Sequence, residues 1–222
     1  MKIVFQEFLK LSNNSPFIIG ITGGSGSGKS YLCNKIVNKF GNNNILVILV
    51  DSYYRDLSHL KFEEREKNNF DHPNSIEFDL FYNHLSLLKK NQHIDMPIYN
   101  YKTHTRKNKV KKIKSNYPII LIEGILALNE KKIRGIFDKK VFIDVKNKIR
   151  MNRRLKRDTE TRDRSIESIK NQYESMVVPM FKKFIEPMKK KSDIIIKKFE
   201  KNDSGYVKLI NQIKKIINDK ES

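Results

Sequence analysis

The chain has 222 residues, 38% of them hydrophobic, enough for one sizeable core and a single domain over residues 1–222. Its 45 Lys and Arg against 25 Asp and Glu give a formal net charge of +20, which raises nucleic acid or an anionic membrane as partners. Only ten of those cations are arginine, and the lysines mix with Asn and Ile along the whole chain, so no basic stripe or known module marks nucleic acid as the main partner.

The N-terminal stretch MKIVFQEFLKLSNNS is interrupted by Gln6, Glu7 and Lys10. It does not read as a signal peptide, and no apolar run elsewhere could span a bilayer. The single cysteine, Cys33, excludes an internal disulfide and suits a reducing compartment. A soluble, cytoplasmic protein without a membrane partner is expected.

The first strand signal, PFIIGIT (16–22), runs straight into GGSGSGKS, and SYLCNKIVNKF after it has helical spacing. Gly23-x4-Gly28-Lys29-Ser30 between a strand and a helix is the P-loop pattern. Gly23, Gly24, Ser25, Gly26, Ser27 and Gly28 would turn backbone N–H groups onto phosphate oxygens, helped by the helix dipole. Lys29 can reach the β- and γ-phosphates, and the Ser30 hydroxyl is placed for Mg²⁺. A nucleoside triphosphate is the expected ligand.

The next strand signal, ILVILV (45–50), ends on Asp51. FDLFYNHLSLLKK is helical, and the polar segment 92–116 has room for a projecting β-hairpin. Within it, IYNYKTHTR puts Tyr99 and Tyr101 on one face of a strand, with His104 just past a bend at Lys102–Thr103. Two rings and a histidine suit something flat and polar; the plainer reading is an aromatic hairpin packed on the sheet. YPIILI (117–122) then leads into Glu123. Ligands of an open parallel sheet gather at the carboxyl ends of its strands, so Asp51 and Glu123 would both face the γ-phosphate. Phosphate transfer needs one carboxylate to orient and deprotonate the attacking hydroxyl and another acid to hold metal. Asp51 suits the first role and Glu123 the second.

KVFIDV (140–145) is followed by helical spacing from Lys148 to Lys190, and DIIIKK (193–198) is the last strand signal. Arg150, Arg153, Arg154 and Arg157 recur at i, i+3, i+4 and i+7, one face of a helix, and Arg162 and Arg164 follow in RDTETRDRS. In a chain that otherwise prefers lysine, this concentration reads as an arginine-rich lid over 148–165 that supplies charge to phosphates. The alternative is a solvated face pairing with Asp158, Glu160 and Asp163. Near-continuous apolar strands separated by helices predict an α/β P-loop NTPase fold: a five-stranded, mostly parallel sheet with helices on both faces. An Asn-Lys-x-Asp guanine reader, a Leu-Ser-Gly-Gly-Gln segment and a second helicase domain are all missing. A small kinase acting on a small molecule remains.

IIGITGGSGSGKS, VDSYYR, NFDHP, IYNYKTHTR, IEGILAL, RRLKRD and NQY occur in the order seen in uridine kinases, so the chain resembles that family over about residues 16–197. The resemblance implies transfer of phosphate from ATP (or GTP) to the 5′-hydroxyl of uridine or cytidine. It implies Asp51 as catalytic base, Glu123 as the metal-side acid with Asp51 close by, and Ser30 as direct Mg²⁺ ligand. Asp71 would hold the ribose hydroxyls with help from Arg154. Tyr99, Tyr101 and His104 would form the base pocket, with Tyr54, Phe70 and Gln172 nearby. Arg157, Arg162 and Arg164 would contact phosphate or close the lid, and the family is usually tetrameric. The chain departs from the family at Asn100, where an acid is common, and at Phe199–Glu200, where the family's Pro-Arg-Gly-Gly is absent. A relative acting on a sugar phosphate or pantothenate, and a P-loop protein that binds RNA through its lysines, are the competing readings.

Overall fold

The computed structural model describes residues 15–114, 116–162 and 165–221; the side chains of 161, 162 and 221 are not among the described ones. The reading of the first fourteen residues therefore lies outside it. Five strands form one sheet: β1 (Phe17–Gly23), β2 (Ile45–Leu49), β5 (Ile119–Glu123), β6 (Lys139–Ile143) and β7 (Ile194–Ile196), in the order β2-β5-β1-β6-β7. Every pairing in it is parallel. The helices are α1 (Lys29–Phe40), α2 (Phe62–Glu66), α3 (Phe78–Lys89), α4 (Lys131–Ile136), α5 (Asn147–Arg162), α6 (Ile166–Gln172) and α7 (Ser204–Glu221).

Alternation along each strand sorts the apolar residues into two cores. Ile19 and Ile21 of β1 with Ile119 and Leu121 of β5 face α1, through Leu32, Cys33 and Ile36, and α7, through Leu209, Ile213 and Ile217. Ile18, Ile48, Ile120 and Ile122 face the opposite way, onto Phe81, Leu85 and Leu88 of α3 and Ile133 of α4. Both sides of the sheet are thus covered, and this is why its strands read as unbroken apolar runs.

The hairpin consists of β3 (Ile94–Asn100) and β4 (Thr105–Ile113), antiparallel, with Ile94 opposite Ile113 and Tyr99 opposite Arg106. Its root is buried through Ile94, Met96 and Ile113, while Lys107, Lys109, Lys111 and Lys112 are exposed. The strand ends one residue earlier than the sequence suggests. Tyr101 falls in the turn Tyr101–His104, 48% exposed, whereas Tyr99 is buried at 6%. The expected single strand face for both rings is corrected by this turn.

The stretch from 148 to 190 is helical in several pieces. The Ser165 hydroxyl caps α6, accepting from Ser168 N at 3.2 Å. Beyond α6 the chain widens into π-helical turns at Tyr173–Val177 and Phe181–Ile185, then tightens to a 3₁₀ turn at Glu186–Lys191. Pro179 and Pro187 each remove a backbone donor there, which breaks the i→i−4 ladder.

Packing at Gly20 gives a test. A Cβ at this position would lie 2.5 Å from the Phe137 ring and 2.8 Å from Leu128, both held in the core. Gly20→Ala is expected to destabilise by about 1–3 kcal/mol in urea titrations through overpacking, although alanine costs a strand less backbone entropy than glycine. An unchanged or raised midpoint would show that this core can relax.

Candidate active site

β1 delivers the chain into the phosphate loop. Ser27 N donates to Gly24 O at 3.0 Å to close the turn, and Gly26 and Gly28 take left-handed φ of 78° and 96°, open to glycine at little cost. Lys29 opens α1 with its side chain buried, and its ammonium donates to Gly23 O at 3.1 Å and Gly24 O at 3.3 Å. The Ser30 hydroxyl donates to Glu123 Oε2 at 3.1 Å, and Lys29 Nζ stands 3.9 Å from Glu123 Oε1. Burial lowers the Lys29 pKa, while Glu123 and then Asp51 pull it back up.

Strand register explains the meeting. Glu123 closes β5 opposite Ile21 of β1 on one side and Leu49 of β2 on the other. Asp51 lies two residues past Leu49, in the 3₁₀ turn Val50–Tyr53. Phosphate loop, Glu123 and Asp51 therefore stand side by side at three adjacent strand ends. Ser30 and Glu123 form a hard, two-oxygen donor set of the kind that holds Mg²⁺, which keeps several waters and substrate phosphates as its other ligands. Among the described residues no cluster of three or more His, Cys, Asp or Glu adds to it.

α5 lies directly on the loop. Arg154 donates to Ser25 Oγ and to Gln172 Oε1, both at 2.9 Å, and pairs with Asp158 at 3.4 Å. Arg153 reaches Ser27 O at 3.3 Å, and Arg157 Nε donates to Asp158 Oδ1 at 2.8 Å. Asp158 is fully buried and holds both Arg154 and Arg157. Arg150 is turned inward: it donates to Val145 O at 3.1 Å and Asn147 Oδ1 at 3.2 Å, and its guanidinium stacks 3.9 Å from the Phe181 ring centre. A Cβ on Gly24 would meet its Nη1 at 2.0 Å, so this glycine admits the close approach of α5. The Arg162 side chain and Arg164 lie outside the described residues.

On the acceptor side five predicted residues meet as rings. Tyr54 sits edge-on to Phe70 at 5.0 Å and to Tyr99 at 5.2 Å, and Tyr99 touches Tyr101 at 5.4 Å. His104, with a left-handed φ of 54°, stacks on Phe70 at 4.9 Å and on Phe62 at 6.3 Å. Stacking covers the imidazole faces, so hydrogen bonding is left to its edge. Asp71 is half-buried in the FDHP turn. Burial raises its carboxyl pKa, against the opposing charges of Arg154, Lys29 and Arg157, and Tyr54 feels both Asp51 and Asp71. The acids thus lie between ring cluster and phosphate loop. Gln172 is held by Arg154 on the loop side of this space.

Sequence reasoning passed over Phe62, Arg65 and Arg106. Phe62 flanks His104, and Arg65 donates to Thr103 O at 3.2 Å, Ser58 O at 3.0 Å and Leu60 O at 2.8 Å. Arg106 donates to Tyr53 O, at the end of the Asp51 turn, and to Tyr54 O just after it. The one available signal was Arg106 inside IYNYKTHTR; Phe62 and Arg65 sit in a charged segment with no pattern to mark them.

Comparison with known proteins agrees with this architecture. The phosphoribulokinase / uridine kinase family profile matches residues 18–204. The chain is 43% identical to a uridine kinase of Clostridium novyi (strain NT) over 204 residues, 92% of this chain and 98% of that protein. It is 45% identical to a uridine kinase of Streptococcus thermophilus (strain ATCC BAA-491 / LMD-9) over 181 residues, 82% of this chain and 85% of that one. In fold it is similar to phosphoribulokinase from Rhodobacter spheroides, with a TM-score of 0.62 at 16% identity, covering 84% of this chain and 71% of the other. With its phosphate loop, strand-end acids and a match spanning most of its length, the chain belongs to the phosphoribulokinase / uridine kinase family.

Proposed function

We propose that this chain is a nucleoside kinase that moves the γ-phosphate of ATP (or GTP) to the 5′-hydroxyl of uridine and cytidine, giving the monophosphate for pyrimidine salvage. The observation that carries the reading is the ring cluster of Tyr54, Phe70, Tyr99 and His104 beside Asp51, across from the phosphate loop. A sugar phosphate or pantothenate has no flat base to fill such a cluster, and the lysines of β4 are exposed to solvent.

In this reading the rings hold the pyrimidine and the His104 edge reads its exocyclic group. Neutral imidazole carries one donor and one acceptor nitrogen, so it serves the O4 of uracil or the amino group of cytosine. Asp71 holds the ribose hydroxyls, and Asp51 orients the 5′-hydroxyl and accepts its proton as the oxygen attacks in line. Lys29 and the loop amides bind the β- and γ-phosphates, Arg154 helps Asp71 at the ribose, and Arg157, Arg162 and Arg164 carry the developing charge. Ser30 and Glu123 would hold Mg²⁺, which would neutralise the phosphates when bound. The family's tetramer and a cytoplasmic location belong to the same reading; among the described residues no helix is long and apolar enough to cross a membrane.

Asp51→Asn should lower kcat by about 100- to 10,000-fold, the usual worth of a positioned general base, with ATP KM within about twofold. Unchanged turnover would remove Asp51 as base. His104→Ala should raise the uridine KM by about 5- to 150-fold, as expected for a lost hydrogen bond of about 1–3 kcal/mol, and leave ATP KM in place. Equal effects on both substrates would put His104 outside the nucleoside pocket.

Asp71 gives a pH prediction. Burial raises its folded-state pKa above the ordinary 3.8, so its ionised form costs folding free energy at neutral pH. That cost is present above the folded pKa, shrinks as pH falls through it, and is gone below 3.8. Asp71→Asn should therefore melt at or above the wild-type temperature near neutral pH, with the difference vanishing toward acid, while its uridine KM rises. A lower melting temperature at neutral pH would contradict the assignment.

A further inference from the structure

We propose that Arg106 is a positioning residue for phosphate transfer, the joint that holds the turn carrying Asp51 to the hairpin carrying the base-pocket rings; this rests on the nucleoside kinase reading. Arg106 is the second residue of β4 and lies directly opposite Tyr99. Its own amide donates to Asp56 Oδ1 at 2.9 Å. Its side chain, mostly shielded, donates from Nε to Tyr54 O at 2.8 Å, from Nη2 to Tyr53 O at 3.2 Å and from Nη1 to Glu77 Oε2 at 2.6 Å. Tyr53 and Tyr54 are the second and third residues after Asp51, and Tyr54 N donates back to Asp51 O at 3.3 Å. The far side of the turn is closed by Glu77 N donating to Tyr53 O at 2.9 Å and by a bridge between Tyr54 and Ile76.

One guanidinium thus gathers the backbone after the base, the Tyr54 ring's own peptide and the segment leading into α3. The three acceptors lie around the planar fork of an arginine; the point charge of a lysine cannot serve all of them. A base moved by about 1 Å from its productive position can lose about 100-fold in rate, so the joint acts on turnover through Asp51 without touching substrate.

Arg65 supplies the control. It ties the hairpin turn, at Thr103, to Ser58 and Leu60, and none of these acceptors adjoins Asp51. Both arginines brace the hairpin, but only Arg106 reaches the base-bearing turn.

The test uses the full chain with Arg106→Lys, Arg65→Lys and Glu77→Gln, in steady-state kinetics with uridine and Mg·ATP and in hydrogen exchange read by mass spectrometry. Arg106→Lys should lower kcat by about 10- to 100-fold with ATP KM held, and should speed exchange across residues 51–56. Arg65→Lys should raise uridine KM with kcat within about threefold and leave that segment at wild-type exchange rates. Glu77→Gln, which keeps the two carbonyl contacts, should fall between them and covers the case that Arg106→Lys does not fold. Equal kcat losses in the two arginine variants, or unchanged exchange over 51–56 in Arg106→Lys, would overturn the joint. A wild type that ignores uridine and cytidine would sink the kinase reading instead, and the exchange comparison would still decide on Arg106.

Discussion

Everything in the site depends on the register of one strand. Glu123 ends β5 between Ile21 and Leu49, and a parallel sheet offers its strand ends to the same edge. Slipping β5 by one residue would send Glu123 to the other face and bury Ile122 where the loop must open. The alternation of Ile119 and Leu121 toward one core and Ile120 and Ile122 toward the other forbids that slip. Packing energy far from any ligand thus sets the 3.1 Å contact between Ser30 and Glu123.

A second pattern runs through the molecule. The chain is lysine-rich, yet each arginine whose side chain is described holds a defined partner. Arg55 donates to Asn74 O, Arg134 to Leu128 O, Arg65 to three carbonyls, and Arg106 to two carbonyls and a carboxylate. Arg150, Arg153, Arg154 and Arg157 fasten α5 to the phosphate loop, to Asp158 and to the start of their own helix. Where charge alone suffices, as along β4, lysine stands; where a planar fork must span several acceptors, arginine does. Arginine position is therefore the better guide to built geometry here than net charge.

Local patterns made much of this legible. The five strands, the P-loop between strand and helix, and the two strand-end acids follow from apolar runs and glycine spacing, and the structure places them within one or two residues. The turn at Tyr101–His104 was less visible, because hairpin closure depends on the Tyr99–Arg106 pairing across the strands. The widened turns around Pro179 were hidden by apolar spacing that continues through them. Gln172 is held by Arg154 from a different helix, and the Arg106 joint spans about fifty residues of sequence. Such contacts come from tertiary packing, and no local window contains both partners.

The central claim is that one pocket joins a pyrimidine nucleoside to a phosphate loop. Its most direct measurement is nucleoside-dependent ADP formation with Mg·ATP, run separately with uridine, cytidine, adenosine, pantothenate and ribulose 5-phosphate, with each product weighed by mass spectrometry. The account predicts monophosphates from uridine and cytidine alone. Turnover with a non-nucleoside and none with uridine or cytidine would contradict it, keeping the fold and its loop but emptying the ring cluster of its assigned base.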